Sequence, residues 1–436
     1  MKDFLCTVAA AAAALATFAA APEPVGYAVT MNHPDAMYRV GEKAVLTLTA
    51  TDGVGKVTSG TVKVTMDNYG SKSLGARTVD LAKENPFTLE LTLDEPGFAC
   101  VKVAGAGRSR PFVWGVGYEP ERIVAGGEVP ADFDEFWRKG VERLAATVPL
   151  DPRMTPVPEK SKGAFDYYRI SFATLGDRRV YGFLTVPKGK PGAKYPVSVQ
   201  VSSAGVGSWT VGTRGLADRI TMYFIVYDFD PPEAVPEARK LYDEMNARMK
   251  AKYGVASYSQ AGLSVSPEDY FFYPVVLGIN RAIDWLWERP DVDRTRFGYE
   301  GGSQGGCFGW MLCGLNSRFT SAVLRVPAMS DVRGCLAGHG GCWPYAVEDT
   351  KWNGQDREAV IRNIAYFDGA SFAPRIRIPI RVVVGLTDTT CPPNAVHATF
   401  NRLASEDKRI LNAIGCGHGG QTRAYDEIAR KWQYGR

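Results

Sequence analysis

Ser303 stands in YEGGSQGGCFGW, residues 299–310, with Gly301 and Gly305 in G-x-S-x-G spacing and Gly302 and Gly306 beside them. A serine hydroxyl attacks a carbonyl well only when a base takes its proton and an acid orients that base. Glycines at this density suit a strand that stops and feeds at once into a helix. The residue at the apex of such a turn is strained, and its neighbours must be small. The turn would lift the hydroxyl of Ser303 clear of a sheet and aim the N–H of Gln304 at a developing oxyanion. In a chain with 46 glycines the spacing alone is weak. Its place between a strand-like and a helix-like stretch, and the partners downstream, carry the reading.

Four histidines are candidates for the base. His33 lies in an N-terminal region of different character. His397 falls inside a helix-like segment, PPNAVHATFNRL, as a surface or packing residue. His339 lies in a long excursion. His418 follows the last strand-like run in the glycine loop IGCGHGGQ, which is where a base is expected. The acid falls in IRVVVGLTDTTCPP: the strand pattern ends at Gly385, Asp388 lies just beyond, and Pro392 and Pro393 open a helix. Capping that helix is the plainer role for Asp388, but Ser, Asp, His, each after a strand, is the order of a hydrolase triad. A second oxyanion donor should come from the loop after an earlier strand. VSVQVSSAGVGSW offers Ala204, or Gly205 beside it. Trp209 either walls the substrate pocket or packs beneath it.

These residues need a sheet to hold them. From Tyr118 onward apolar runs (YYRISF, RVYGFLTV, YPVSVQV, MYFIVYD, SAVLRV, IRVVVG, RILNAI) alternate with helical patterns such as EDYFFYPVVLGINRAIDWLWERP. Nearly continuous apolar strands between helices predict an α/β domain with a mostly parallel sheet over residues 116–436. The helix PADFDEFWRKGVERLAATVP is expected to bury Phe133, Phe136, Trp137 and Val141. Excursions at about 231–266 and 331–368 are expected to build a lid or pocket wall. Residues 22–115 read differently: AVLTLTA, TVKVTM, FTLELTL, FACVKV and RPFVW alternate with period two between turn clusters. That predicts an antiparallel sandwich of immunoglobulin type, with packing or spacing as its expected role.

The N-terminus, MKDFLCTVAAAAAALATFAAAPEPV, has Lys2, an apolar run and small residues before Pro22. It reads as a signal peptide over residues 1–21, so export is expected; the run is short for a membrane span. A net charge of +4, with no Lys/Arg track, argues against nucleic acid as a partner. Beyond Cys6 there are seven cysteines, an odd number, so no complete disulfide framework is expected. Cys307 and Cys313 read as buried thiols. Cys335 and Cys342 could pair, or could bind a metal with His339; an ordinary loop with neither role is the expectation.

The segments FDEFWRKGVERL, YGFLTVPKG, FGYEGGSQGG, IRVVVGLTDTTCPPNAVHATFN and GHGG resemble the acetyl xylan esterase / cephalosporin C deacetylase family of carbohydrate esterases, over roughly residues 118–436. The resemblance implies an α/β-hydrolase fold and removal of acetyl groups from an acetylated oligosaccharide or a small acetylated sugar, with no cofactor. Its Ser, Asp and His fall on Ser303, Asp388 and His418, and its oxyanion donors on Gln304 and Ala204. It also implies a homo-oligomer, members often being hexamers, although the added N-terminal domain stands against that assembly. The chain departs from the family pattern at DFDPPEA, where an Arg-Gly-Gln segment is usual; at Gly419, where Glu usually follows the histidine; and at Ala204, where a bulky aromatic is usual. A peptidase or another ester hydrolase on the same scaffold, and a non-catalytic glycan-binding protein, are the competing readings.

Overall fold

The structure, a computed structural model, describes residues 25–419 except 53–54, 71, 162, 190, 208, 210 and 212–216, together with Trp432. The expected signal peptide, 1–21, lies outside the described residues. Among the described residues no helix is long and apolar enough to cross a membrane.

Among the described residues the N-terminal part carries eight strands: β1 (Gly26–Met31), β2 (Met37–Tyr38), β3 (Ala44–Thr51), β4 (Thr61–Asp67), β5 (Ser73–Asp80), β6 (Phe87–Leu91), β7 (Gly97–Gly105) and β8 (Phe112–Tyr118). They form two sheets, ordered β1-β3-β6 and β2-β8-β7-β4-β5. Every pairing is antiparallel except the short β2–β8 pair. Alternate residues of β3 (Ala44, Leu46, Leu48, Ala50) point into the core between the sheets. This is the period-two signature of a sandwich face. Splitting β1, β3 and β6 from β4, β7 and β8 follows the immunoglobulin pattern. β8 runs on to Tyr118, across the expected boundary at residue 115. β1, the two-residue β2 and β5 fall outside the expected strand segments. In β5 only Val79 is fully buried, so its apolar pattern is weak.

The remainder forms one nine-stranded sheet: β9 (Arg153–Pro156), β10 (Phe165–Thr174), β11 (Arg178–Pro187), β12 (Tyr195–Val201), β13 (Ile220–Ile225), β14 (Val292–Gly302), β15 (Ser321–Arg325), β16 (Ile380–Gly385) and β17 (Lys408–Ala413). Its order is β17-β16-β15-β14-β12-β13-β11-β10-β9. The six strands from β17 to β13 pair in parallel; β11, β10 and β9 extend the sheet antiparallel. Every residue of β16 is buried, as expected of a strand covered on both faces. Among the described residues eight helices accompany the sheet: α1 (Phe133–Thr147), α2 (Val235–Tyr253), α3 (Phe272–Trp287), α4 (Gln304–Leu315), α5 (Thr350–Asn353), α6 (Arg357–Ile364), α7 (Gly369–Phe372) and α8 (Pro393–Asn401). This is an α/β-hydrolase architecture with an added N-terminal sandwich.

One expectation fails in α1. Phe133, Trp137, Gly140 and Leu144 are buried, while Val141 is exposed. Gly140 belongs to the inner face because a side chain there would strike the Tyr273 hydroxyl, at 2.7 Å from a Cβ. The face therefore steps 4-3-4 through a glycine that apolar periodicity does not register.

The two excursions cover the sheet as one unit. The Gln260 amide donates to Pro344 O (2.8 Å) and Asp349 Oδ2 (2.7 Å). Asn363 Nδ2 donates to Leu263 O at 2.8 Å. Because β13 follows β12 on one side and β14 returns on the other, the chain changes direction between β12 and β14. The crevice at the C-terminal ends of those strands is where open α/β sheets bind ligands.

Candidate active site

Ser303 caps α4 directly after β14, with φ 55° and ψ −121°, a conformation that a non-glycine residue holds only under strain. Its surroundings fix it there. Its N–H donates to Arg325 O (2.9 Å), and its carbonyl accepts from Cys307 N and Ala328 N, both at 3.0 Å. The glycine at 305 is explained by close approach: a Cβ would lie 2.3 Å from Val201 O, the last residue of β12. At Gly306 a Cβ would lie 2.6 Å from Pro327 Cα. α4 can begin this tightly only without side chains at those two positions.

Asp388 follows β16 and is fully buried. Its Oδ1 accepts from the N–H groups of Thr390 (2.8 Å) and Cys391 (3.0 Å), and its Oδ2 lies 2.8 Å from His418 Nδ1. His418 Nε2 lies 2.9 Å from Ser303 Oγ. An ionised carboxylate only accepts, so Nδ1 carries the proton and Nε2 is left as acceptor for the serine hydroxyl. The structure thus brings together three side chains from the ends of β14, β16 and β17. The loops of the acid and the base are tied to each other: Leu386 N donates to Ala413 O (3.1 Å) and Thr387 N to Cys416 O (3.0 Å).

The other histidines are engaged elsewhere. His397 in α8 is buried, bonded to Asn412 Oδ1 (2.9 Å) and set against Phe98; burial pushes its imidazole down to about 4. It is a packing residue. His33 pairs with Glu42 in the sandwich, and His339 lies 3.4 Å from Asp331 Oδ2. Cys335 and Cys342 are both free thiols, so no disulfide joins them. The Cys342 thiol turns inward toward Pro327 O (3.8 Å), whereas Cys335 stays half-buried. Cys307 and Cys313 are buried thiols, as expected. Asp388, Cys391 and His418 form the one set of metal-type donors among the described residues close enough to share an ion. Both carboxylate oxygens and both imidazole nitrogens of that set already have hydrogen-bond partners.

The N–H of Gln304 opens α4 and so has no partner inside the helix. The Gln304 side chain is clamped: Tyr258 OH donates to Oε1 (2.6 Å), and Nε2 donates to Ser202 O (3.1 Å). Burial raises the Tyr258 phenol well above its usual range, so it remains a donor. Ser203 Oγ donates to Gly302 O at 3.2 Å. The loop bearing Ala204 is therefore stitched to both sides of the serine. Ala204 and Gly205 are exposed, and Gly205 O accepts from Tyr227 OH (2.9 Å). Trp209 is buried against Tyr227 and Phe229. Tyr258 was not anticipated. It lies 46 residues before Gln304 within an excursion, and the high aromatic content was its only signal.

Asp388 and His418 also lean on the sandwich. The Tyr69 hydroxyl donates to Leu386 O, two residues before Asp388. The Trp114 ring packs so closely on Gly415 that a Cβ there would lie 3.0 Å away. Asn394 in α8 accepts from Phe98 N and donates to Asn68 O, both at 2.7 Å. Leu386 and Ala398 belong to the sandwich core.

A family model described as acetyl xylan esterase matches residues 121–433. The chain is 27% identical over 425 residues to acetyl esterase Axe7A of Xylanibacter ruminicola, covering 95% of this chain and 92% of that one. The solved acetyl xylan esterase from Paenibacillus sp. R4 is 24% identical with a TM-score of 0.59, covering 72% of this chain and 97% of its own. Acetyl xylan esterase 1 from Thermoanaerobacterium sp. JW/SL YS485 is 20% identical with a TM-score of 0.60, covering 72% and 96%.

Proposed function

The chain belongs to the acetyl xylan esterase family and is a carboxylic ester hydrolase, and from that premise we propose that it is an exported serine esterase that removes acetyl groups from acetylated carbohydrates through Ser303, His418 and Asp388. The observation that carries the reading is the unbroken relay from Ser303 Oγ through His418 to Asp388, at 2.9 and 2.8 Å.

His418 Nε2 takes the proton as Ser303 Oγ attacks the acetyl carbonyl. Buried Asp388 holds Nδ1–H and stabilises the imidazolium that forms. The N–H groups of Gln304 and Ala204 receive the oxyanion. His418 then protonates the departing sugar oxygen, leaving an acetyl ester on Ser303. Water, deprotonated by His418, attacks that ester, acetate leaves, and Ser303 regains its proton. The serine's strained apex position supports this reading, because it holds the hydroxyl ahead of α4, next to the unpaired N–H with which Gln304 opens that helix. Export rests on the N-terminal segment Met1–Ala21.

The test is acetate release from acetylated xylan and from acetylated monosaccharides, with wild type beside Ser303→Ala. Wild type should release acetate and react with a fluorophosphonate, and the variant should do neither. Preference for peptides or for long-chain esters would overturn the deacetylase assignment. N-terminal sequencing of secreted material should begin near residue 22.

A further inference from the structure

The seam between sandwich and sheet holds a solvent-open groove of about 340 Å³. Tyr69, Gly70 and Lys102 of the sandwich form one wall, and Tyr345 and Lys351 of the second excursion form the other, with Thr389, the neighbour of Asp388, at its edge. Close contacts join the two parts beside it. Gly70 and Gly340 approach so tightly that a Cβ on Gly70 would lie 2.5 Å from Gly340 N, and Asn68 Nδ2 donates to Gly338 O at 2.8 Å. A second cavity of about 330 Å³, reaching Arg357, shares Cys335, Glu348 and Lys351 with the first. Trp352, next in sequence to Lys351, is 79% exposed, the highest figure among the large exposed apolar residues described. The Lys351 ammonium lies 5.1 Å from its ring centre.

We propose that this groove is a glycan subsite, in which sugar units of the polymer beyond the acetylated one lie against the sandwich while the acetyl group occupies the Ser303 site. The chemistry fits a sugar chain. The two cavities offer ammonium and guanidinium donors for hydroxyls in Lys351 and Arg357 and a carboxylate acceptor in Glu348. Trp352 is not part of their lining; next in sequence to Lys351, it offers at the rim an exposed indole on which the C–H face of a pyranose stacks. The tyrosine hydroxyls are already spent on backbone carbonyls, Tyr69 on Leu386 and Tyr345 on Thr389 (2.5 Å). They present rings rather than donors. Lys102 is held in place by Asp67 Oδ2 at 2.5 Å. The inference rests on the carbohydrate deacetylase reading and narrows its substrate from single sugars to oligosaccharides.

Trp352→Ala and Lys351→Ala alter exposed side chains and leave the triad untouched. With acetylated xylo-oligosaccharides, KM should rise about three- to tenfold in each variant at unchanged kcat, while hydrolysis of 4-nitrophenyl acetate should not change. Parallel changes on both substrates, or no change on either, would overturn the subsite. A calorimetric arm uses Ser303→Ala and unacetylated xylotetraose and does not depend on turnover. Binding that disappears when Trp352→Ala is added supports the subsite; absent binding, or binding indifferent to Trp352, refutes it. The deacetylase reading fails separately, if wild type cleaves 4-nitrophenyl acetate yet releases no acetate from any acetylated sugar.

Discussion

The nucleophile and its two partners are held by different means. Ser303 is locked by its own sheet, through Arg325 O, Ala328 N and the contact of Gly305 with β12. Asp388 and His418 sit on loops that touch a second domain, through Tyr69 on Leu386 O and Trp114 on Gly415. A serine elbow built this way needs nothing beyond the hydrolase fold. The acid–base half has an additional support that reaches it from a separate stretch of chain. Damage to the elbow should therefore be severe and local, whereas damage at the seam should be graded and should reach catalysis through the acid and base loops.

The largest effect tests the elbow chemically. Ser303→Ala should lower kcat by about 10⁴-fold or more with the fold intact, read by acetate release and by an unchanged melting temperature. Residual activity within tenfold of wild type would place the nucleophile elsewhere. Gly305→Ala tests the elbow sterically. The new Cβ meets backbone at 2.3 Å, and backbone in a central strand cannot move aside. Overpacking of this kind costs about 1–3 kcal/mol, and a displaced serine costs about 10²-fold in rate. The same substitution at Gly163, where a Cβ meets nothing within 4 Å and the backbone is not in the left-handed region, should be far milder. Equal effects at both sites would break the argument from close approach.

The elbow was legible in the sequence and the seam was not, for a physical reason. Ser303, Gly305 and α4 are consecutive, so one short motif encodes the strained turn. Asp388 and His418 were legible because each follows a β pattern that ends cleanly, at Gly385 and Ala413. The two-domain architecture was legible because period two gives way to long apolar strands and helices. Contacts that join Tyr69 to Leu386 or Asn394 to Phe98 span about 300 residues and leave no periodic trace. Tyr258, clamping Gln304 from an excursion without repeating pattern, was hidden in the same way. Val141 was misplaced because a glycine, not an apolar residue, completes the inner face of α1.

The next effect lies at the seam and depends on pH. His397 packs on Phe98 of the sandwich, and burial pushes its imidazole down to about 4. In the unfolded chain the same group takes up a proton near pH 6.5. Between those values the unfolded state binds more protons, so stability is full above about pH 6.5, falls as the pH drops toward 4, and loses nothing further from this group below that. The slope is at most about 1.4 kcal/mol per pH unit. Melting temperatures followed from pH 7 to 4 should therefore fall less steeply in His397→Gln than in wild type. Identical slopes would remove His397 from the account.

The smallest effect is the most informative about the comparison. Tyr69→Phe removes one hydroxyl and leaves the Leu386 carbonyl without that donor, a cost of about 1–3 kcal/mol. Burial raises the Tyr69 phenol well above its usual range, so the lost group is a neutral donor and no charge changes. A purely structural role for the sandwich would lower the melting temperature and leave turnover alone. If the sandwich instead orients the acid, a small displacement of the loop that ends in Asp388 misaligns Nδ1–H of His418. In that case kcat on 4-nitrophenyl acetate should fall about three- to tenfold at constant KM. Trp114→Ala, acting from the other side on Gly415, should lower kcat in the same way. The two changes meet in loops already joined through Thr387 N and Cys416 O, so their combined effect should be less than the product of the single effects. Full multiplicativity, or a loss of stability with kcat intact, would reduce the sandwich to a spacer beside an active site that stands without it.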